Sequence, residues 1–293
     1  MSRGATLKKV DRVRIGEATV TLARDGYFRL DGGAMFGIVP RLVWEQRCPP
    51  DAQHRIGMAF NGMLVEVAGR RVLIDPGLGA RYDARFAERF AVEQPPTVLE
   101  ELAAIGVGPE QIDVVIATHL HWDHAGAFTR LEGTRVVPTF PRAMHVVQRR
   151  QWEDASNPHE RNRASYRQDD FEPVMAAGLV RLMDGDAEVA PGVWVHEVGG
   201  HAAGMQLVRV ESGGETFLHL ADLVPMRHHV QYPWIMGYDL YPVETLAQKK
   251  VWLTRAIEGK WIVGLVHDPE APFGRIELKD GRPALVPLGA VGA

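Results

Sequence analysis

A layered α/β domain is what this sequence predicts, and three observations carry the expectation. Short apolar, β-branched runs recur along the chain, a helical pattern lies between two of them, and run after run ends in histidine or aspartate. The most informative run is Asp113-Val114-Val115-Ile116-Ala117, which has the length and β-branched content of a buried strand. It leads into Thr118-His119-Leu120-His121-Trp122-Asp123-His124-Ala125-Gly126, with three histidines and one aspartate inside six residues. Neutral imidazoles and carboxylates are ligands that borderline divalent metals such as zinc accept, and no thiolate is offered here. A lone histidine is more often a hydrogen-bonded core or surface residue than a ligand. Four ligand types together at a strand end outweigh that bland reading.

Composition excludes several classes. The 293 residues, 46% hydrophobic and 24% charged, are ordinary for a folded globular core, and without repeat, low-complexity block or linker they read as one domain over 1–293. A formal net charge of −4 gives no electrostatic footprint for nucleic acid or an anionic membrane. The single cysteine, Cys48, rules out an internal disulfide and any cysteine-rich zinc site, and packing is its expected role. The opening Met1-Ser2-Arg3-Gly4-Ala5-Thr6-Leu7-Lys8-Lys9 has no apolar core of a leader, and no run approaches a membrane span. The expectation is a cytoplasmic protein with no nucleic-acid or membrane partner; a homodimer is left open.

In chain order, Arg12–Ile15 and residues 18–23 read as a hairpin turning near Gly16-Glu17. Residues 25–40 are glycine-rich yet carry three aromatics and a methionine, which suits a loop folded over a pocket. Residues 63–67 and 71–74 form a second strand pair around Gly69, ending in Asp75-Pro76-Gly77. Asp75, at a strand terminus, is a candidate acceptor for the outer N–H of a metal-bound imidazole, although it would also serve as a plain turn former. Residues 97–105 carry leucines and alanines at helical spacing, with Thr97 as N-cap and Gly106 and Gly108 as stops. Residues 148–171 turn polar around Trp152 and Tyr166 and read as helical pieces with a solvated face, a surface more than a lid. Short strands follow at 179–183, Val193–Glu197, 205–210 and 216–220, then a helix at 243–257 and a buried strand at 261–266.

These later strands repeat the pattern of the first. His201 stands among glycines in Gly199-Gly200-His201-Ala202-Ala203-Gly204, a tight turn that lets backbone approach closely. Asp222 ends the run Phe217-Leu218-His219-Leu220-Ala221, and His267 follows the strand at 261–266. Open α/β architectures place their ligand sites beyond strand termini, and here every residue so placed is a metal-ligand type. Seven ligands, His119, His121, Asp123, His124, His201, Asp222 and His267, are too many for one tetrahedral ion and suit two.

With those residues in hand, the chain is identified as resembling the metallo-β-lactamase superfamily, in which His-x-His-x-Asp-His, a downstream Gly-His, an aspartate after a strand and a final histidine build a dinuclear site. All of these elements are present, over residues from about 60 to 270. The resemblance implies a four-layer αβ/βα sandwich. It also implies that His119, His121 and His201 hold one metal, that Asp123, His124 and His267 hold the other, and that Asp222 bridges both. His-Leu-His-Trp-Asp-His-Ala-Gly and His267-Asp268-Pro269-Glu270 look most like the N-acyl-homoserine lactonase group. Leu223-Val224-Pro225 after Asp222 departs from the tyrosine that such lactonases carry near that aspartate. His228-His229 and Tyr232-Pro233-Trp234-Ile235-Met236-Gly237-Tyr238 are more like the related organophosphate hydrolases.

The implied chemistry is hydrolysis. Two divalent ions roughly 3.5–4 Å apart share a hydroxide that attacks an ester or lactone, with zinc the first choice and manganese, cobalt or iron as alternatives. Asp123 would orient the nucleophile or carry its proton, and His229 or Tyr238 would donate to the developing oxyanion. The apolar segments at 26–40 and 231–241 predict an uncharged, partly apolar small-molecule substrate, with aryl esters and organophosphates as further candidates. The alternatives are a mononuclear iron persulfide dioxygenase, a glyoxalase II-like thioesterase and a non-catalytic metal-binding role.

Overall fold

The computed structural model describes residues 11–289, and its strands form two seven-stranded sheets and a two-stranded ribbon. The N-terminal half contributes β1 (Arg12–Ile15), β2 (Ala18–Asp31), β3 (Arg55–Val67), β4 (Arg70–Ile74), β5 (Val114–Ile116), β6 (Thr129–Glu132), β7 (Arg135–Pro138), β8 (Met144–Gln148) and β9 (Val180–Met183). The C-terminal half contributes β10 (Ala187–Ala190), β11 (Val193–Glu197), β12 (Gln206–Ser212), β13 (Glu215–His219), β14 (Ile262–Gly264), β15 (Phe273–Lys279) and β16 (Arg282–Pro287). The first sheet runs β1-β2-β3-β4-β5-β8-β9, the second runs β10 to β16 in chain order, and β6-β7 is the ribbon.

Side-chain alternation along the strands decides the layering. On one face of the first sheet Val72, Ile74, Ile116 and Val146 meet Val193, Val195, Val208, Val210 and Phe217 of the second, so one core lies between the sheets. On its other face Leu64, Leu73, Val115 and Val147 pack with Val98, Leu102, Phe171 and Val174. The outer face of the second sheet packs Leu207, Leu218 and Val263 against Trp252, Leu253 and Ala256 of the helix Pro242–Glu258. The result is helix, sheet, sheet, helix, the αβ/βα sandwich. Each such side chain taken out of water contributes about 1.5–3 kcal/mol.

Parallel neighbours need a crossover, and helices provide it. β4 and β5 are parallel, and the intervening helix Val98–Ala104 starts in a capping box in which the Thr97 hydroxyl and the Glu100 carboxylate each accept the other residue's backbone N–H. β13 and β14 are parallel and joined through Pro242–Glu258. Two buried amides then tie the sheets together where the strands end. Gln206 Nε2 donates to the Ala117 carbonyl at 2.6 Å, and the Gln206 N–H donates to the Thr118 carbonyl at 2.9 Å. Asn61 Nδ2 donates to the Leu265 and Asp268 carbonyls at 2.9 and 2.7 Å.

Several sequence expectations need correction. Residues 26–40 are not one loop: β2 continues to Asp31 after a register shift between Arg24 and Tyr27, and Gly32–Phe36 is a helix capped by Asp31. Asp25-Gly26 opens the stretch read as a loop. Here Asp25 is instead buried with its carboxylate accepting the N–H groups of Gly79 and Val98, and Gly26 takes a φ of 98°. The 148–171 segment is more than a solvated face: Gln151, Asn162 and Tyr166 are buried, and the helix Arg149–Ser156 packs Ala155 into the core. The strands β6, β7, β8, β10, β15 and β16 were not anticipated. Cys48 packs, half-buried, beside an aromatic and methionine cluster. The stretch Met1 to Lys9 lies outside the described residues. No helix among the described residues is long and apolar enough to cross a membrane.

Candidate metal centre

The turn after β5 places the first four ligand types. His121 leads the short helix Trp122–Ala125, so Asp123 and His124 occupy its first turn and come back under His119. Gly126 is required at its end: a Cβ there would lie 2.1 Å from the Leu78 carbonyl oxygen and 2.7 Å from its carbon. His201 comes from the turn after β11. Gly200, at a φ of 102°, lies so close to Thr245 that a Cβ would meet its backbone N and Cα at 2.8 Å. The Leu240 and Tyr241 N–H groups donate to the His201 and Gly200 carbonyls and hold that turn. Asp222 follows Ala221, itself at a φ of 46°, and His267 follows β14, with the Ala59 N–H donating to its carbonyl at 3.1 Å.

All seven residues converge. His119 Nε2, His121 Nδ1 and His201 Nε2 form one corner, with separations of 3.0 Å from the first to the second and 3.1 Å from the second to the third. Asp222 Oδ2 completes it, 3.2 Å from His201 Nε2 and 3.8 Å from His119 Nε2. Zinc bonds of about 2.0–2.1 Å in a tetrahedron put ligand atoms ~3.3 Å apart, so this corner has the dimensions of a cage for such an ion. Asp123, His124 and His267 form the second group. His267 Nε2 lies 3.5 Å from Asp123 Oδ2 and 3.3 Å from Asp222 Oδ1, while His124 Nε2 lies 3.6 Å from Asp222 Oδ2. Asp222 therefore faces both groups.

The outer nitrogens fix which ring atoms are bare. His124 Nδ1 donates to Asp75 Oδ2 at 2.9 Å, His201 Nδ1 to Asp239 Oδ1 at 2.9 Å, and His267 Nδ1 to the Ala59 carbonyl at 2.9 Å. His119 Nδ1 is 3.1 Å from the Thr118 hydroxyl, which donates its own proton to Asp75 Oδ2 at 2.6 Å and so accepts from the ring. Four Nε2 lone pairs are left facing inward. His124 Nε2 and Asp222 Oδ1 are buried without a hydrogen-bond partner, a cost of about 1–3 kcal/mol each that a bound cation would offset.

Charge points the same way. Burial, then the neighbouring histidines, hold His119 and His121 well below the usual imidazole range, which keeps them neutral and ligand-ready. Burial works against a proton on His124, but Asp75, Asp123 and Asp222 together raise it well above that range. Burial opposes charge on Asp222 too, yet His267, His201 and His124 hold it well below the usual carboxylate range. A pocket that draws a proton onto His124 this strongly draws a divalent cation by the same field.

The cluster floors a cleft of about 230 Å³ walled by Leu30, Met35, Met58, Phe90, Trp122 and Met236, with Arg89, Ser165 and Tyr238 also in its lining. Tyr238 lines this cleft, its phenol pushed up to about 12 by burial and then by Asp31 and Asp123. His229 does not line this cleft. Its ring stacks on Phe36 at 5.0 Å and its Nε2 donates to the Met35 carbonyl at 2.8 Å, so the structure gives it a packing role beneath the wall. Asp239 and Thr118 escaped the sequence reading. Asp239 sits in an irregular aromatic segment with no strand before it, and a carboxylate one residue past Tyr238 was the one available signal.

Comparison with known proteins agrees with this geometry. The N-acyl homoserine lactonase of Bacillus cereus is 28% identical over 160 residues, 51% of this chain and 57% of that protein. The N-acyl homoserine lactonase AttM of Azorhizobium caulinodans is 30% identical over 183 residues, 58% of this chain and 64% of that protein. The chain thus matches less than two thirds of the length of either relative. Among solved structures, a probable metal-dependent hydrolase from Staphylococcus aureus superposes with a TM-score of 0.86 at 25% identity, covering 96% of this chain and all of that one. AidC, a dizinc quorum-quenching lactonase, superposes with a TM-score of 0.77 at 19% identity over 98% of this chain and all of that one, a likeness of fold. The family description "Metallo-beta-lactamase superfamily" matches residues 60–262, more than half of the sequence. The chain belongs to the metallo-β-lactamase superfamily.

Proposed function

We propose that the chain is a dinuclear metal-dependent hydrolase that opens an ester or lactone. The observation that carries this reading is Asp222, with one carboxylate oxygen beside His267 and the other beside His201 and His124, so that two three-residue groups share one bridge. His119, His121 and His201 would hold one cation and Asp123, His124 and His267 the other, zinc being the first choice for such a nitrogen and oxygen set. Bound there, two divalent cations supply an acidified water near neutral pH and polarise the substrate carbonyl.

The chain's own residues do the rest. Asp123 lines the cleft and takes the proton of the attacking water on its carboxylate, then passes it to the leaving alkoxide. Tyr238, protonated at neutral pH, donates to the carbonyl oxygen as negative charge develops. The methionine and aromatic wall excludes water and receives an apolar acyl or alkyl group. A fused or cyclic ester of modest size suits a cleft of about 230 Å³. The lactonases among the relatives support a lactone, as the class their names give.

A thioester on an anionic carrier is the second reading, favoured by one feature, the Arg89 guanidinium in the cleft lining. Metal analysis of the purified protein with a panel of lactone, aryl ester, thioester and phosphotriester tests the proposal. Near two equivalents of metal with the lactone or ester fastest supports it. One equivalent of iron with oxygen uptake refutes it, and the thioester ranking first moves the assignment to the second reading.

A further inference from the structure

Lys249 is the one fully buried lysine among the described residues, and it sits in the helix Pro242–Glu258. Lysine is almost never buried unless its charge is met. An ammonium has three protons to donate and no lone pair, so three acceptors satisfy it completely. Here Nζ donates to the backbone carbonyls of Gln231, Tyr232 and Trp234 at 2.7, 3.3 and 2.8 Å. The Tyr232 and Trp234 carbonyls have no other donor among the described residues.

Those carbonyls open the irregular stretch 231–241, which runs from the turn Arg227–Val230 to the helix and contains no strand to fix it. Backbone without a ladder must be held by other groups. At its far end the Leu240 and Tyr241 N–H groups donate to the His201 and Gly200 carbonyls, and Asp239 accepts from the Thr245 hydroxyl at 2.7 Å. Thr245 lies four residues before Lys249 and so on the same face of the helix. Between the two holds stand Met236 and Tyr238, which line the metal cleft, whereas Lys249 does not. One helix face thus reaches the site twice, through Thr245 to Asp239 and His201, and through Lys249 to the start of the cleft wall.

We propose that Lys249 is a positioning residue of the cleft, which sets the reach of Tyr238 toward the substrate carbonyl oxygen and the place of Met236 in the wall. The inference rests on the hydrolase reading and adds to it a residue outside the cleft. A methionine at 249 would fill similar volume but leave the Tyr232 and Trp234 carbonyls unpaired, and the stretch they open would shift. Misplacing a reacting group by ~1 Å costs on the order of a hundredfold in rate. Lys249 has no hydrogen bond to any of the seven ligand types, so the metal half of the site is held without it.

The test runs near pH 6.5, because burial pushes the ammonium down to about 7 against the pull of Asp239 and the charged form then predominates. Metal-loaded wild type, Lys249→Met, Tyr238→Phe and the double variant are assayed with para-nitrophenyl butyrate, beside a zinc titration and hydrogen exchange read by mass spectrometry. Lys249→Met is expected to lower kcat/KM by about tenfold or more, through a lower kcat and a higher KM, while both zinc constants stay within about threefold. In the Tyr238→Phe background the same change is expected to lower kcat by less than about twofold, because the group it misplaces is gone. A kcat/KM of Lys249→Met within about twofold of wild type, or kcat losses that add in full across the two sites, overturns the proposal. If Tyr238→Phe matches wild type, KM decides: a rise of about fivefold or more in Lys249→Met supports the proposal, and no rise overturns it. If Lys249→Met does not fold, Lys249→Gln takes its place with the same outcomes. Wild type without ester turnover refutes the hydrolase reading, and hydrogen exchange then judges Lys249 alone. Exchange about tenfold faster over residues 231–241 in Lys249→Met supports its hold on the stretch, and unchanged exchange overturns it.

Discussion

Replacing Asp239 by alanine separates the two cation positions. The Asp239 carboxylate is buried, accepts from His201 Nδ1 at 2.9 Å and accepts from the Thr245 hydroxyl at 2.7 Å. Of the seven ligand types it touches His201 alone, and His201 belongs with His119 and His121. Loss of an outer partner of a metal-bound imidazole weakens metal affinity by about 10–100-fold, or ~1.4–2.8 kcal/mol. The assay is a titration of metal-depleted protein with zinc against a chromophoric chelator, fitted to two constants. One constant should weaken by that factor while the other stays within about threefold, since Asp239 has no hydrogen bond to Asp123, His124 or His267. Asp75→Ala is the contrast. Asp75 accepts from His124 directly and from the Thr118 hydroxyl that faces His119, so both constants should fall. Asp239→Ala lowering both equally, or neither, would refute the outer-partner reasoning.

Chelation should lower the melting temperature and added metal should restore it, because a cation binding only the folded chain stabilises it by ~2.7 kcal/mol at one hundred times its Kd; a melt indifferent to metal speaks against the cage. Gly126→Ala drives a Cβ into the Leu78 carbonyl and should cost about 1–3 kcal/mol in chemical denaturation while also weakening zinc binding, since the clash pushes on the helix that carries Asp123 and His124. His229→Leu removes the bond to the Met35 carbonyl and the stack on Phe36, so urea denaturation should show a loss of about 1–3 kcal/mol with kcat/KM within about threefold of wild type; a kcat drop of a hundredfold would restore it to the chemistry. Acid should destabilise the fold through buried neutral histidines. Burial pushes His145 down to about 4 and His229 down to about 3, from an ordinary 6.5. The unfolded chain binds more protons below 6.5, so this stability is complete above that pH and drains as pH falls toward those values. Between pH 7.5 and 5 each residue should cost on the order of 2 kcal/mol, read from urea midpoints, and His145→Phe should reduce the slope.

The candidate ligands were legible because their chemistry restricts the residue types and because all but His201 follow the apolar runs Val114–Ile116, Glu215–His219 and Ile262–Gly264. What holds those ligands was far less legible. Asp75 could be guessed since it too ends a strand, whereas Asp239 reaches His201 from 38 residues downstream, out of a segment with no period. Asp25, in the stretch read as a loop, misled for the opposite reason. Long-range contacts decide its place: burial pushes its carboxyl up to about 7, and the N–H donors Val98 and Gly79 offset only part of that cost. The sheet-to-sheet joints are harder still, because Asn61 and Gln206 are single amides with no motif. Yet Gln206 ties the strand bearing the His119 segment to the second sheet, and Asn61 ties β3 to the segment bearing His267. Each amide satisfies carbonyls that would otherwise be buried and unpaired, at about 1–3 kcal/mol apiece. The spacing between the two candidate metal-binding groups therefore rests on two uncharged side chains outside both of them, as well as on the histidines that announce the site.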